Sequence, residues 1–427
     1  MMRCHDKELG CYLPAFFEMK VDTFSDDLGF SSMCNRDRSI VFHEYIHFLQ
    51  DFTTYTGLNN NYVYNDLLSS AINVVYENQK GTEFSIPVVF PKKDLIDLQK
   101  WLNKVTFGDT DSTSGKVIEK IEYNEMTPPD NIPSLPVIPT VTLSLSGDDF
   151  YTFGAGAIME SMAYLMEQLC LDYYELSPDF PYNLATLVVN KLCPDLAKDP
   201  LNILALCDVS LLGSNPGHVF IHILEEILNG NITVMMPEDI YDAFYKMPMS
   251  HLGKEVYFAE AFENLAETTR NQLKNRIKIP NKSENYHKWV DTLIDTASDL
   301  RLYNRYFMIE IARHKDILSN KVFARIVNLV GSPLMENNLS HFSKMPFNGS
   351  KGEDVEFLKV AKQIIMLLED GNTKCELINL CNNSPEVITD DRCQNRPWSR
   401  CTDDKLCPYA MLWKHWNLIG YEPKVII

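Results

Sequence analysis

Basic residues are scarce in this sequence of 427 residues. It contains 39 Lys and Arg against 58 Asp and Glu, which gives a formal net charge of −19. Such a surface repels phosphate backbones and anionic lipid headgroups. We therefore expect neither a nucleic acid nor a membrane as a partner. The negative charge could favour basic substrates, although acidic surfaces also keep cytosolic proteins soluble.

Long apolar runs and an export signal are also missing. The most apolar stretch, 201–213, contains Asn202 and Asp208 and is shorter than the roughly 20 apolar residues of a membrane span. The N-terminus lacks the basic and apolar segments that direct export. We expect a soluble, cytoplasmic protein. Most of its eleven cysteines should then be reduced thiols or metal ligands rather than disulfides.

The spacing of apolar residues predicts an α+β fold in which helices predominate. An N-terminal part, 1–80, combines a strand region near 12–24, placed as an edge beside a cleft, with a buried helix over 39–56 that Gly57 ends. Three further parts follow: a β-containing insertion at 81–148 with strands near 117–123 and 137–145, a helical domain at 149–370, and a Cys-rich cap at 371–427.

The sequence HEYIH carries the clearest chemical signal in the chain. His43 and His47 are four residues apart on the predicted helix, so both imidazoles can reach one metal ion. Glu44 lies about 100° around the helix axis from His43 and is the candidate general base. Zinc suits such a site because two imidazoles and one carboxylate keep a fourth position open for water.

These residues resemble the active-site motif of the zincin metallopeptidases, and the resemblance covers about twenty residues, 39–57. One large zincin group extends the motif as HExxHxxGxxH, but this chain has Gln50 and Thr53 at the last two positions. A third histidine ligand is therefore excluded. The resemblance instead implies a gluzincin-like arrangement, with a zincin-like catalytic core and a third ligand supplied by a glutamate on a later helix.

Glu160 is the predicted third ligand, because the local sequence ESMA resembles the pattern of gluzincin ligand helices and small residues precede it. Glu167 and other acids of the helical domain are competing candidates, and an exposed position for Glu160 is the simpler alternative. Asp51 is a candidate partner for the second nitrogen of a ligand histidine, or else a solvent-facing acid. The group that stabilises the oxyanion stays open, since twenty tyrosines and His218 compete for that role. The competing acids are Glu167, Glu225, Glu226, Glu260, Glu263 and Glu267.

The Cys-rich cap offers a second candidate metal site. Its thiols are numerous enough to complete a tetrahedral zinc site, although no pair has the CxxC spacing of zinc ribbons, and a loop-rich cap with reduced thiols is the alternative. The predicted structural zinc ligands are Cys381, Cys393, Cys401 and Cys407, with Cys375 just upstream.

Together these patterns predict a zinc metallopeptidase in which a metal-activated water attacks the peptide bond and Glu44 acts as the general base. The expected partners are a protein or peptide substrate and a protein that restrains the activity. Two alternatives stay open. One is a hydrolase of a nonpeptide amide or ester, and the other is a regulatory binding protein with a structural zinc site.

Overall fold

A computed structural model describes residues 9–25, 29–88, 94–128, 137–251, 254–347, 356–382 and 389–425. The chain is 53% helical and 13% strand, which confirms the predicted α+β class in which helices predominate. None of the described helices combines the length and the apolar character needed to cross a membrane.

The helices run along the whole chain. The first seven are α1 (Asn35–Thr53), α2 (Tyr55–Tyr76), α3 (Asp94–Phe107), α4 (Ala155–Cys170), α5 (Leu184–Leu192), α6 (Pro200–Leu211) and α7 (Pro216–Leu228). The second half contains α8 (Glu238–Phe244), α9 (Phe258–Arg276), α10 (Glu284–Leu302), α11 (Phe307–Ala312), α12 (Lys321–Val330), α13 (Glu356–Asp370), α14 (Ile378–Asn382), α15 (Arg392–Asn395) and α16 (Pro408–His415). Two 3-10 helices cover Leu196–Lys198 and Pro397–Thr402.

The strands are short and form four small sheets. They are β1 (Gly10–Leu13), β2 (Glu18–Val21), β3 (Glu83–Ile86), β4 (Ile118–Met126), β5 (Ile138–Leu145), β6 (Asp149–Phe153), β7 (Met249–His251), β8 (Lys254–Val256), β9 (Leu334–Glu336), β10 (Phe342–Ser343) and β11 (Glu422–Val425). The sheet orders are β1-β2-β9-β10, β4-β5-β6, β3-β11 and β7-β8. Pairing is antiparallel except for β2 with β9 and β3 with β11. The two strands predicted in the insertion are β4 and β5, while its boundaries stay a prediction.

Helix α1 is buried along almost its whole length. Its aromatic and aliphatic side chains lie in the core against α2, α4 and α10. The expectation that Gly57 ends this helix is wrong. The break comes at Thr54, whose extended backbone ends α1 and whose hydroxyl accepts the N–H of Gly57, so that Gly57 lies in the first turn of α2. A Cβ at Gly57 would come within 2.3 Å of the Asp51 carbonyl oxygen, which is why glycine suits this corner.

Helix α4 begins at a close contact with the last turn of α3. Gly154 and Gly156 lie so near Phe107 that a Cβ on either would come within 2.6 Å of it. The small residues therefore allow the end of α3 to pack directly against the first turn of α4. The rest of α4 is buried against α1 and α6, which fixes α4 beside the helix that carries HEYIH.

A buried carboxylate attaches the N-terminal hairpin to α1. Asp51 Oδ2 accepts the hydroxyl of Tyr12 at 2.8 Å and the backbone N–H of Ala15 at 3.0 Å, and its Oδ1 accepts the amide of Asn61 at 3.0 Å. Strand β1, at the edge of its sheet, is thereby held against the helix that carries HEYIH.

Candidate metal centre

Three side chains predicted as metal ligands converge at the contact between α1 and α4. Glu160 Oε2 lies 3.2 Å from His43 Nε2 and 3.4 Å from His47 Nε2. One ligand atom from each residue lies within 4.8 Å of the other two. Because His43 and His47 occupy successive turns of α1, their rings meet edge to face with centroids 4.8 Å apart. Glu160 projects from α4 and completes the group.

The second nitrogen of each imidazole is held by a different partner. His43 Nδ1 contacts the carboxylate of Glu167, whose other oxygen accepts the hydroxyl of Ser39 at 2.6 Å. His47 Nδ1 lies 2.8 Å from Gln50 Oε1, and the Gln50 amide donates to the Met159 carbonyl at 3.1 Å. Both partner atoms are acceptors, so each Nδ1 donates a hydrogen to its partner and each Nε2 is left to bind a proton or a metal ion.

The arrangement therefore directs three electron-rich atoms at one point. Two imidazole lone pairs and a carboxylate oxygen repel one another unless a cation lies between them. Zinc commonly takes this donor set, and ligand histidines commonly donate their other N–H to a carboxylate or a carbonyl. The His43, His47 and Glu160 side chains thus fit a zinc ion by donor type, orientation and hydrogen-bonded support.

The electrostatics of the group favour positive charge at its centre. Burial alone would lower the pKa of His43, but the charge of Glu167 and the contacts with both glutamates raise it well above the usual value. At His47, too, burial would lower the pKa, but the charge of Glu160 and its contact with the ring raise it. Burial would raise the pKa of Glu160, yet His47 and His43 lower it strongly. A cation is therefore stabilised among these side chains, whether it is a proton or a metal ion.

The predicted general base, Glu44, is buried beside this group and beside β1. It is 6% exposed, and its charge raises the pKa of His47. A Cβ on Gly10 would lie 2.6 Å from Glu44 Oε1 and 2.9 Å from Glu44 Cγ. The absence of a side chain at Gly10 therefore leaves the room that the Glu44 carboxylate occupies.

Two supporting residues differ from the sequence-based expectation. Asp51 neither contacts His47 nor faces solvent, because its side chain binds Tyr12 and the hairpin instead. Gln50 makes the contact with His47. Glu167, considered as a third ligand, supports His43 from the opposite side of the ring. The spacing of seven residues from Glu160 to Glu167 on α4, two helical turns, is the signal that could have indicated a shared face.

Other acids considered as ligands make contacts elsewhere. Glu225 accepts the hydroxyl of Tyr123 at 2.9 Å, and Glu267 pairs with Arg270 at 3.0 Å. Both lie on different helices, α7 and α9. Within the described parts of the chain, Glu160 is the one acid that joins the two histidines in a group with metal-ligand spacing.

Among the tyrosines, Tyr182 lies against a ligand histidine, with its ring centroid 6.0 Å from that of His43. The preceding residue, Pro181, accepts the hydroxyl of Ser161 at 2.8 Å, so α4 also fixes the segment that carries Tyr182. His218 instead stacks near His222 on α7 and contacts Tyr123. Tyr182 is therefore one aromatic candidate beside the site, and Tyr151, whose pKa is raised by burial and also by the charge of Glu160, is another.

The predicted cysteine tetrad is not brought together. No three cysteine sulfurs among the described residues all lie within 4.8 Å of one another. Burial raises the pKa of Cys401, and the nearby charges of Glu422 and Asp403 raise it further. Nine of the cysteines that the structure describes are free thiols, as expected for most of them, and Cys11 is disulfide-bonded.

Comparisons with protein family models, with curated proteins and with solved structures give no match for this chain.

Proposed function

We propose that the protein is a zinc-dependent metallopeptidase of the zincin type, with a gluzincin-like ligand set. The single observation that carries the proposal is the convergence of His43, His47 and Glu160 from two helices, with both imidazole Nε2 atoms turned toward the same carboxylate oxygen. Proximity alone would suit any cation. The orientation of the imidazoles by Glu167 and Gln50 is what makes the group suitable for zinc.

The ligand set supports a catalytic rather than a structural role. Within the described residues, the group contains three protein ligands and no fourth His, Cys, Asp or Glu. Structural zinc sites are normally closed by four protein ligands, whereas catalytic sites keep one position for water or substrate. A zinc ion held here would lower the pKa of a water molecule to roughly 7 and polarise a carbonyl group.

Glu44 would move the protons of the reaction. Its position next to the first ligand histidine puts its carboxylate beside the metal group without making it a ligand. It would accept a proton from the attacking water and return that proton to the leaving amine nitrogen. Burial between α1 and Gly10 restricts its side chain, which keeps the carboxylate in place for both transfers.

The test is the substitution Glu44→Gln, which preserves the shape of the side chain and removes its basicity. We expect zinc content to equal that of the native protein and peptide hydrolysis to fall by at least 100-fold, because general base catalysis contributes roughly 10²–10⁴-fold. Zinc is measured by elemental analysis and cleavage by mass spectrometry with a peptide library. His47→Ala is the companion variant, in which zinc and activity should both be lost.

The same screen separates the alternatives. If the protein cleaves ester or amide reporters but no peptide, it is a hydrolase of nonpeptide substrates and not a peptidase. A native protein that binds zinc but hydrolyses none of these substrates, or a Glu44→Gln variant with native activity, would contradict the proposed mechanism.

A further inference from the structure

Three tyrosine rings form a row that begins at the candidate metal centre. The ring centroid of Tyr182 lies 6.0 Å from that of His43 and 6.0 Å from that of Tyr164, and the ring of Tyr164 lies 6.0 Å from that of Tyr174. We call Tyr164, Tyr174 and Tyr182 the tyrosine wall. The wall thus starts in contact with a proposed metal ligand and extends away from it.

The geometry of α4 explains why the wall lies beside this site. Tyr164 comes four residues after Glu160 and three before Glu167, so the three side chains share one face of the helix. Glu160 and Glu167 contact the two ring nitrogens of His43. Tyr164 therefore belongs to the face of α4 that meets the helix carrying HEYIH.

Two of the three rings are partly open to solvent. Tyr164 is 3% exposed and forms the buried back of the wall, whereas Tyr174 and Tyr182 are partly exposed and form its surface. The metal group is also open here, since the side chain of Glu160 is 24% exposed and that of His43 is 12% exposed. A substrate that reaches the metal group therefore passes next to Tyr182.

The segment that carries the wall is held in place by contacts along its length. The N–H of Ser177 donates to the hydroxyl of Tyr164 at 3.4 Å. Phe180 and Thr113 exchange two backbone hydrogen bonds, at 3.2 and 2.9 Å. Rings that are fixed before binding contact a ligand at a lower entropic cost than mobile ones. The segment 174–182 therefore presents a preformed surface.

The chemistry of this surface favours one class of side chain. Phenol rings offer apolar faces and edges, which contact other aromatic rings well in offset or edge-to-face arrangements. The carboxylates of Glu44, Glu160 and Glu167 lie close by and repel a negatively charged side chain. In an extended peptide, consecutive residues are only about 3.3 Å apart along the chain. A residue next to the bond at the metal is thus within reach of the wall.

We propose that the tyrosine wall binds the side chain of the substrate residue next to the scissile bond, and that this side chain is large, apolar and preferably aromatic. This inference rests on the proposed peptidase function and adds a substrate class to it. Tyr182 makes the main contact because it is the ring of the wall that touches a proposed ligand. Tyr174 extends the surface, and Tyr164 supports both rings from behind.

The test measures the binding of two zinc-binding probes, phenylalanine hydroxamate and alanine hydroxamate, which differ only in a phenyl group. The zinc-loaded Glu44→Gln protein is used, so that binding is measured without turnover, and calorimetry gives the Kd of each probe. Burial of a phenyl group improves affinity by roughly tenfold or more, so we expect the phenylalanine probe to bind at least about tenfold more tightly.

Three variants in the Glu44→Gln background assign this preference to the wall. Tyr182→Ala should reduce it to less than about threefold, because the ring that contacts the phenyl group is lost. Tyr182→Phe keeps the ring without its hydroxyl and should keep the preference, which separates side-chain binding from a role of the hydroxyl in stabilising an oxyanion. Tyr173→Ala is the matched control and should also keep it, because Tyr173 is adjacent to Tyr174 in sequence but donates its hydroxyl to Glu175 at 2.6 Å.

The outcomes separate this proposal from the proposed function. A preference below about threefold in zinc-loaded Glu44→Gln, or an unchanged preference in Tyr182→Ala, overturns the proposal and leaves the metal site standing. Peptide cleavage by the native protein without enrichment of large apolar residues beside the cleaved bond also overturns it, although the peptidase function survives. If the protein contains no zinc and binds neither probe, the proposed function fails and this inference fails with it.

A second variant covers the case in which Tyr182→Ala does not fold, as judged by circular dichroism. Tyr174→Ala then takes its place, with an expected loss of at least about twofold in the preference, because this ring contributes a smaller part of the surface. An unchanged preference in folded Tyr174→Ala would then overturn the proposal.

Discussion

The carboxylate of Glu167 offers the sharpest test of how the proposed metal centre is supported. One of its oxygens contacts His43 Nδ1 and the other accepts the hydroxyl of Ser39 at 2.6 Å. The residue is 6% exposed, so solvent screens its charge poorly. Glu167→Gln keeps the size of the side chain and an oxygen for His43, but it removes the negative charge that makes His43 a stronger ligand.

Loss of such a supporting carboxylate typically weakens metal binding by about 10–100-fold. At roughly 1.4 kcal/mol per factor of ten, this corresponds to about 1.4–2.8 kcal/mol of binding free energy. Ser39→Ala is the control, because it removes a hydrogen bond to the same carboxylate and leaves the charge beside His43. We expect that variant to lose stability, by about 1.5–3 kcal/mol, and to bind zinc less than tenfold more weakly.

The assay is a zinc competition against a chromophoric chelator, at a pH where the chelator affinity is known. Circular dichroism and urea unfolding establish that each variant is folded. A zinc affinity of Glu167→Gln within twofold of the native value would refute the supporting role. An equal loss of zinc affinity in Ser39→Ala would show that position rather than charge of the carboxylate matters.

Two further predictions concern the N-terminal hairpin. In Gly10→Ala the new Cβ would lie 2.6 Å from Glu44 Oε1 and would displace that carboxylate. We therefore expect kcat for peptide hydrolysis to fall at least tenfold with unchanged zinc content. An unchanged kcat would mean that the position of the Glu44 carboxylate is not critical. Burial raises the pKa of Asp51 to about 7, against hydrogen bonds from Ala15 and Tyr12 that lower it. The folded state therefore binds the proton of Asp51 more tightly than the unfolded state does. As the pH rises from about 4 to about 7, the contribution of Asp51 to the free energy of unfolding should decrease by at most about 4 kcal/mol. Urea unfolding of the native protein and of Asp51→Asn across this pH range checks the prediction. If the free energy of unfolding of the native protein increases with pH relative to that of Asp51→Asn, the prediction is contradicted.

Local patterns predicted much of the chain. The helix that carries HEYIH, the glutamate-bearing helix α4 and the two insertion strands β4 and β5 are predictable because periodicity and turn residues act over a few neighbours. The spacing of His43 and His47 fixes a shared helix face for the same reason. The pair of imidazoles and the adjacent Glu44 thus follow from about five residues of sequence.

Tertiary structure decided which distant groups meet this helix. Glu160 lies more than a hundred residues from the histidines. Its local sequence predicted it as a ligand, but its approach to the histidines depends on close packing between separate elements at Gly154 and Gly156. Gln50 and not Asp51 contacts His47, because the Asp51 carboxylate binds Tyr12 and the hairpin instead.

The sequence by itself determined the chemistry of the site: two imidazoles and a neighbouring carboxylate on one helix, within an acidic chain rich in helices. Only the tertiary structure brought the predicted third carboxylate to the two imidazoles and placed Glu167 beside His43. The physical reason is range. Helix geometry is set by residues a few positions apart, whereas the remaining contacts require buried side chains from separate elements to pack at one point.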